Sequence, residues 1–287
     1  MSRIYDALKK LEAERRGAGG ETNGTNGHQA NGHTNGHGNG NGNGHHRNGR
    51  RRVWEWIFKG QQARTNGAPV VNFQLGPEVE EAYQQLGTNL LVGPSADVGR
   101  EPKLLGVVAS RHGEGATTTA SVFASILVRR RGGRVVVVEA NLRSPGFETV
   151  FGIKRNGGFA ELVLGQQSLA QVAQPTQIPN LYAVGCGSAE IAPSTLFESP
   201  GVSAALDQLR EQFDFVIFDL PPVNVYGDTS ILGPRLDAAV LVIEADRTRI
   251  SDVERARRNL ERVGVRFVGS VLNRRRNYIP AFLEEML

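Results

Sequence analysis

The sequence predicts an α/β fold, a doubly wound and mostly parallel sheet flanked by helices. Three observations predict it. Short apolar runs recur at 104–109, 134–140, 215–220, 238–245 and 267–272, and helical stretches separate them at 117–131, 158–164, 201–212 and 251–263. This alternation belongs to a parallel sheet with helices packed on its faces. The run RVVVVEA at 134–140 is apolar almost throughout, as a strand covered on both faces requires. The first run leads through a glycine turn into a helix, and ligands of such sheets bind at the carboxyl ends of the strands.

Taken in order, the chain opens with MSRIYDALKK, which lacks the apolar core of a secretory signal. Ile4, Leu8 and Leu11 fall at helical spacing, so residues 1–16 read as a short amphipathic helix, either docked on a partner or frayed. Residues 17–50 repeat Asn-Gly and carry His28, His33, His37, His45 and His46. That composition cannot offset its own ordering entropy and reads as a flexible tether, and the histidines have no fixed metal-ligand spacing. In residues 51–67, arginines precede Trp54, Trp56, Ile57 and Phe58, a basic-aromatic segment suited to a lipid headgroup interface or to packing on a domain. Residues 68–287 then supply one α/β domain with enough chain for a well-buried core.

Charge and cysteine usage narrow the setting. Residues 1–67 carry 11 Lys and Arg against 5 Asp and Glu, whereas the remainder carries 22 against 24. The basic balance belongs to the arm, which suits anionic lipid or an acidic partner, and nucleic acid is not an expected partner. The single Cys186 leaves no disulfide framework and fits a cytoplasmic location. No run reaches the roughly 18 apolar residues of a membrane span.

The turn after the first strand carries the chemistry. Its order is Gly113, Glu114, Gly115, Ala116, Thr117. A phosphate-binding P-loop has this strand–glycine–helix layout, with Lys after the last glycine and Ser or Thr next. Here the glycines and Thr117 are present and the lysine is a methyl side chain. Backbone N–H groups at a helix amino terminus bind phosphate through their dipoles. Thr117 offers a hydroxyl to Mg²⁺, and Asp219, ending FDFVIFD ahead of Pro221 and Pro222, offers a carboxylate.

These segments resemble the bacterial tyrosine kinases of capsule and exopolysaccharide assembly, relatives of the MinD/ParA ATPases. The resemblance spans about 80–280 and also the opening MSRIYDALKKLE. SRHGEGATTT is similar to the family's Walker A loop, VVVVEANLRSP to its Walker A′ motif, FDFVIFDLPPV to its Walker B and GSVLN to its late strand. The resemblance implies a MinD/ParA-like P-loop NTPase fold with ATP or ADP and Mg as cofactors. It implies a nucleotide site at Ser110, Arg111, Gly113, Glu114, Gly115, Ala116, Thr117, Thr118 and Asn273, and a metal site at Thr117, Asp219 and Glu139. It also implies a membrane polysaccharide co-polymerase or chain-length determinant as partner, an active kinase paralogue, and a peripheral contact at the inner face of the cell membrane.

The chain departs from the family pattern at four places. Ala116 replaces the Walker A lysine. Glu139 and Asn141 stand where Walker A′ has two aspartates, which leaves Glu139, Asn141 and Asp219 as a degenerate catalytic set. Gln84 and Gly87 replace both arginines of the Glu-x-x-Arg-x-x-Arg assembly motif that begins at Glu81, and the tail holds only Tyr278 in place of a tyrosine cluster. The implied function is a catalytically impaired pseudokinase that scaffolds or regulates a membrane polysaccharide complex. Two other readings stand beside it: an active autokinase or ATPase using Arg111 and Glu139, and a MinD/ParA-type positioning ATPase whose membrane contact is the segment 51–67.

Overall fold

The computed structural model describes residues 75–91 and 102–275. The arm (residues 1–16, 17–50 and 51–67) and the tail with Tyr278 lie outside the described residues. Seven strands form one sheet: β1 (Leu104–Ala109), β2 (Val135–Glu139), β3 (Gln174–Pro175), β4 (Leu181–Val184), β5 (Phe215–Asp219), β6 (Ala238–Glu244) and β7 (Phe267–Asn273). Their order is β3-β4-β2-β5-β1-β6-β7, and every pairing is parallel except β3 with β4. The sheet is therefore mostly parallel and doubly wound, as the sequence predicts. Two short pieces escape the sequence reading, β3 and β4, because LYAV is too brief an apolar run to separate from a loop.

Strand periodicity explains how one apolar run serves two cores. Val136 and Val138 face one side, with Val216, Phe218, Leu241 and Ile243. Val135 and Val137 face the other, with Ile217, Val240 and Val242. The first face is covered by short helices and by α7 (Gly201–Gln212) and α9 (Ile250–Arg262), the second by α1 (Pro77–Leu91) and α2 (Ala116–Arg131). Between α2 and α7 lie α3 (Phe147–Phe151), α4 (Phe159–Val163), α5 (Leu169–Val172) and α6 (Pro193–Glu198), and α8 (Asp228–Leu232) follows β5. Phe123, Phe159, Phe197 and Phe218 are fully buried, each contributing roughly 1.5–3 kcal/mol.

The fold positions the loop. From β1 the chain winds through α2 to β2 and β4 on one side, then returns through β5 to place β6 and β7 on the other. The turn after β1 sits where the winding reverses, the place at which open α/β sheets bind ligands. Among the described residues no helix is long and apolar enough to cross a membrane.

Candidate functional site

The loop from Ser110 to Ala116 is held from inside by the side chain of Glu114. That carboxylate is buried and accepts hydrogen bonds from the Ser110 backbone N–H at 2.7 Å, the Ser110 hydroxyl at 2.7 Å, the Arg111 N–H at 3.1 Å and the Thr248 hydroxyl at 2.7 Å. Ser110 and Glu114, both among the expected nucleotide-site residues, brace the loop against the turn after β6. The strand end after β7 braces its outer side. The Asn273 amide donates to the Glu114 carbonyl at 2.8 Å, and Arg274 donates to the Gly113 carbonyl at 2.9 Å and to Glu244 at 2.8 Å.

Gly115 has two reasons to be glycine. Its φ is +98°, and a Cβ there would collide with the Asn273 amide. Its left-handed turn starts α2, whose first N–H groups, on Ala116, Thr117 and Thr118, have no acceptor within the helix. Those donors and the helix dipole favour a phosphate group. The missing element is a side-chain cation, since position 116 is a methyl group.

Below the loop, Thr117 and Asp219 meet. The Thr117 hydroxyl donates to Asp219 Oδ2 at 2.6 Å, while Asp219 Oδ1 is buried with no partner. Burial pushes the Asp219 carboxyl up to about 7, with the Thr117 hydrogen bond pulling it down and nearby Glu139 adding to the rise. A buried carboxylate with one orphaned oxygen beside a helix-first-turn hydroxyl fits a hard divalent cation such as Mg²⁺, which takes few protein oxygens and keeps waters and phosphate oxygens.

Glu139 is the direct neighbour of Asp219 across the β2–β5 pairing, yet its carboxylate is turned to the backbone. Oε1 accepts from the N–H groups of Gly146 and Phe147, and Oε2 accepts from Cys186 N–H at 2.9 Å. The added methylene lets it pin the start of α3 and the turn after β4. Among the described residues no group of three or more His, Cys, Asp and Glu side chains is arranged to hold a metal ion, and Glu139 stands beside the Thr117–Asp219 pair with both oxygens on backbone donors. Asn141 is buried with its Oδ1 unpartnered.

Arg111 carries its guanidinium to Asp252 on α9 at 3.0 Å, and Arg255 bonds the same oxygen at 3.2 Å. Next to it, His112 bonds the Tyr226 hydroxyl at 3.1 Å, and Arg143 lies over the Tyr226 ring at 4.4 Å while forking onto Asp228 at 2.5 and 3.1 Å. A cleft of about 520 Å³ opens here, lined among others by Arg111, His112, Glu114, Asn224, Arg247 and Thr248. Thr248, Asp252, Tyr226 and Asp228 escape sequence reasoning. They lie in loops and helix starts with no motif spacing, and only the fold brings them to the loop.

No family model matches the chain. Among curated proteins it is 29% identical over 198 residues to the tyrosine-protein kinase CpsD of Streptococcus pneumoniae, covering 69% of this chain and 85% of that protein. The chain is a relative of the bacterial tyrosine-protein kinases. Among solved structures, the kinase domain of the Escherichia coli tyrosine kinase ETK superposes with a TM-score of 0.67 at 21% identity, covering 79% of this chain and 90% of that one. The septum site-determining protein MinD of Pyrococcus horikoshii, complexed with Mg-ADP, superposes at 0.50 with 20% identity, covering 64% and 76%. The fold is thus shared by tyrosine-kinase domains and MinD-type P-loop proteins. Within that kinship the braced loop and the Thr117–Asp219 pair stand beside Ala116 and Asn141.

Proposed function

We propose that this chain is a nucleotide-binding, catalytically impaired member of the tyrosine-kinase group that scaffolds or regulates a membrane capsule or exopolysaccharide assembly complex. The observation that carries the reading is the intact Thr117–Asp219 pair beneath a phosphate loop whose lysine is Ala116. The N–H groups of Ala116, Thr117 and Thr118 bind the phosphates of ATP or ADP, and the Thr117 hydroxyl and Asp219 hold Mg²⁺. When bound, the metal supplies charge neutralisation at the phosphate oxygens.

The remaining residues supply little toward phosphoryl transfer, which depends on positioning and charge stabilisation. Asn141 is neutral and takes no proton. Glu139 must release three backbone N–H groups before it can act as a base. Arg111 is held by Asp252, which weighs against its standing in for the lysine, and a guanidinium is a poor substitute for an ammonium at a tight phosphate site. The partners are a membrane polysaccharide co-polymerase or chain-length determinant and an active kinase paralogue. The location is the inner face of the cell membrane, reached through the basic arm.

Calorimetric titration of the full chain with Mg·ATP tests this reading. Ala116→Lys restores a cation to a loop already shaped for phosphate, and tightens binding about tenfold or more, in keeping with the ~10²–10³-fold worth of one preorganised donor. An unchanged affinity contradicts the phosphate-loop assignment.

A further inference from the structure

The amino-terminal ends of the strands form one edge of the domain, opposite the phosphate loop, and that edge is basic. Backbone bonds fix the geometry. The Lys103 carbonyl accepts from Val216, the Arg134 carbonyl from Asp214, and the Arg266 carbonyl from Ala239, so the residues entering β1, β2, β5, β6 and β7 lie side by side. α2 returns to this edge with Arg129, Arg130 and Arg131, α9 with Arg262, and the turn before β6 with Arg235; all of these, and Arg134, are exposed. The acids at the edge are fewer than the cations; Asp214, Glu211 and Glu261 are exposed with them, and Asp237 and Asp214 are engaged by neighbouring donors. Asp237 takes Arg210 and the N–H groups of Lys103 and Leu104, and Asp214 takes the Arg134 N–H. The near-balanced charge of residues 68–287 therefore conceals a segregation along the strand axis.

Cations at the end of a helix are favoured by its dipole, which accounts for part of the α2 cluster. It does not account for Arg235, which closes no α-helix, nor for Arg134, whose guanidinium lies over the Tyr182 and Phe213 rings at 5.2 and 5.0 Å. Two features favour a lipid surface over a protein partner. The exposed cations run from the entry of β2 to that of β7, about 19 Å across five parallel strands, and come from both helical layers, so they describe a plane and not a groove. The exposed large apolar side chains among the described residues are Val79, Leu164 and Val225, none of them on the elements that form this edge. A stable protein interface needs an apolar core, whereas attraction of arginine to anionic headgroups does not.

We infer that the edge carrying Arg129–Arg131, Arg134, Arg235 and Arg262 is a second membrane contact, one that lays the domain on an anionic lipid surface with the phosphate loop facing away. It deepens the peripheral location proposed above, since it adds a lipid-facing surface of the domain itself to the basic arm.

Sedimentation of the full chain with vesicles of phosphatidylcholine containing phosphatidylglycerol, at about 0.1 M salt, tests the inference. Each arginine near such a surface contributes about fivefold. The combined Arg129→Gln, Arg130→Gln, Arg131→Gln variant binds roughly a hundredfold more weakly, while its melting temperature falls by only a few degrees, as loss of the favourable charges at the helix end requires. Removing three charges near the opposite edge, by Lys154→Gln, Arg155→Gln and Arg249→Gln, leaves binding within about twofold. If the α2 variant binds as the parent does and only Arg50→Gln, Arg51→Gln, Arg52→Gln releases the protein, the arm alone is the anchor; the inference falls and the peripheral location stands. If the full chain ignores the vesicles, both fall. Retention on polyglutamate without vesicle binding, lost in the α2 variant, assigns the edge to an acidic protein and overturns the lipid reading.

Discussion

Asp219 has been taken out of water with one oxygen on Thr117 and the other on nothing, and its carboxyl rises from 3.8 to about 7. Between those values the folded chain binds a proton that the unfolded chain releases. Stability therefore falls as pH rises from about 4 to about 7 and is level above that window. The whole step is on the order of 4 kcal/mol. Asp219→Asn removes it, so the stability advantage of the variant over the parent widens between pH 5 and pH 8 in urea unfolding. A constant difference contradicts a raised carboxyl. Cation binding needs the ionised form, and Mg²⁺ affinity climbs through the same window.

Glu139 illustrates what one residue's spacing shows and what it leaves hidden. Its place in VVVVEANLR marks the end of a strand beside the phosphate loop, and the structure puts it there, paired with Asp219. Its role was not legible, because the Gly146, Phe147 and Cys186 N–H groups reach it only once α3 and the turn after β4 are folded. Restoring the shorter family residue, Glu139→Asp, withdraws the carboxylate from donors that stay buried. Unmet buried donors cost about 1–3 kcal/mol each, so with three donors affected the variant loses about 3 kcal/mol or more in denaturant unfolding. A neutral result contradicts this bracing role.

At the scale of elements, α1 rests on α2 through a glycine. A Cβ at Gly87 would lie 3.6 Å from Phe123 and 3.9 Å from Leu127, ordinary contact distances. Gly87→Ala therefore strengthens the helix by about 1 kcal/mol and raises the melting temperature by about 2–4 °C; a fall means that α1 cannot accept even a methyl group against α2. Position 87 is buried on this face, so the position at which the sequence resemblance implies an assembly arginine is here part of a helix–helix contact.

The long elements were legible because their periodicity is strong. Strands β1, β2, β5, β6 and β7 and helices α2, α7 and α9 fall within a residue or two of expectation. The short helices α3 to α6 were mostly not legible, since four to six residues carry too little period, and their burial under the β2–β4 side of the sheet is a tertiary effect. The loop motif was legible as a phosphate-binding turn. Its bracing by Thr248, Asn273 and Arg274 was only partly so, because two of the three come from segments with no motif of their own.

For the whole molecule, the charge segregation and the loop's missing cation point the same way, toward a protein that binds and positions more than it turns over. The edge of strand amino termini is basic, the edge of strand carboxyl termini carries the glycine loop and the Thr117–Asp219 pair, and the two lie at opposite ends of the sheet. Net charge gave no warning of this arrangement, because opposite charges cancel in a sum and separate only when parallel strands align their ends. The central claim is that nucleotide is bound and not transferred. The most direct measurement is a single preparation of the full chain, titrated with Mg·ATP and then followed for ADP release and for phosphate on its own tyrosines. The account predicts saturable binding that Ala116→Lys strengthens, with turnover of the parent chain at least ~10²-fold below that of an active tyrosine-kinase domain measured alongside. Turnover or self-phosphorylation at the rate of the active domain would contradict it.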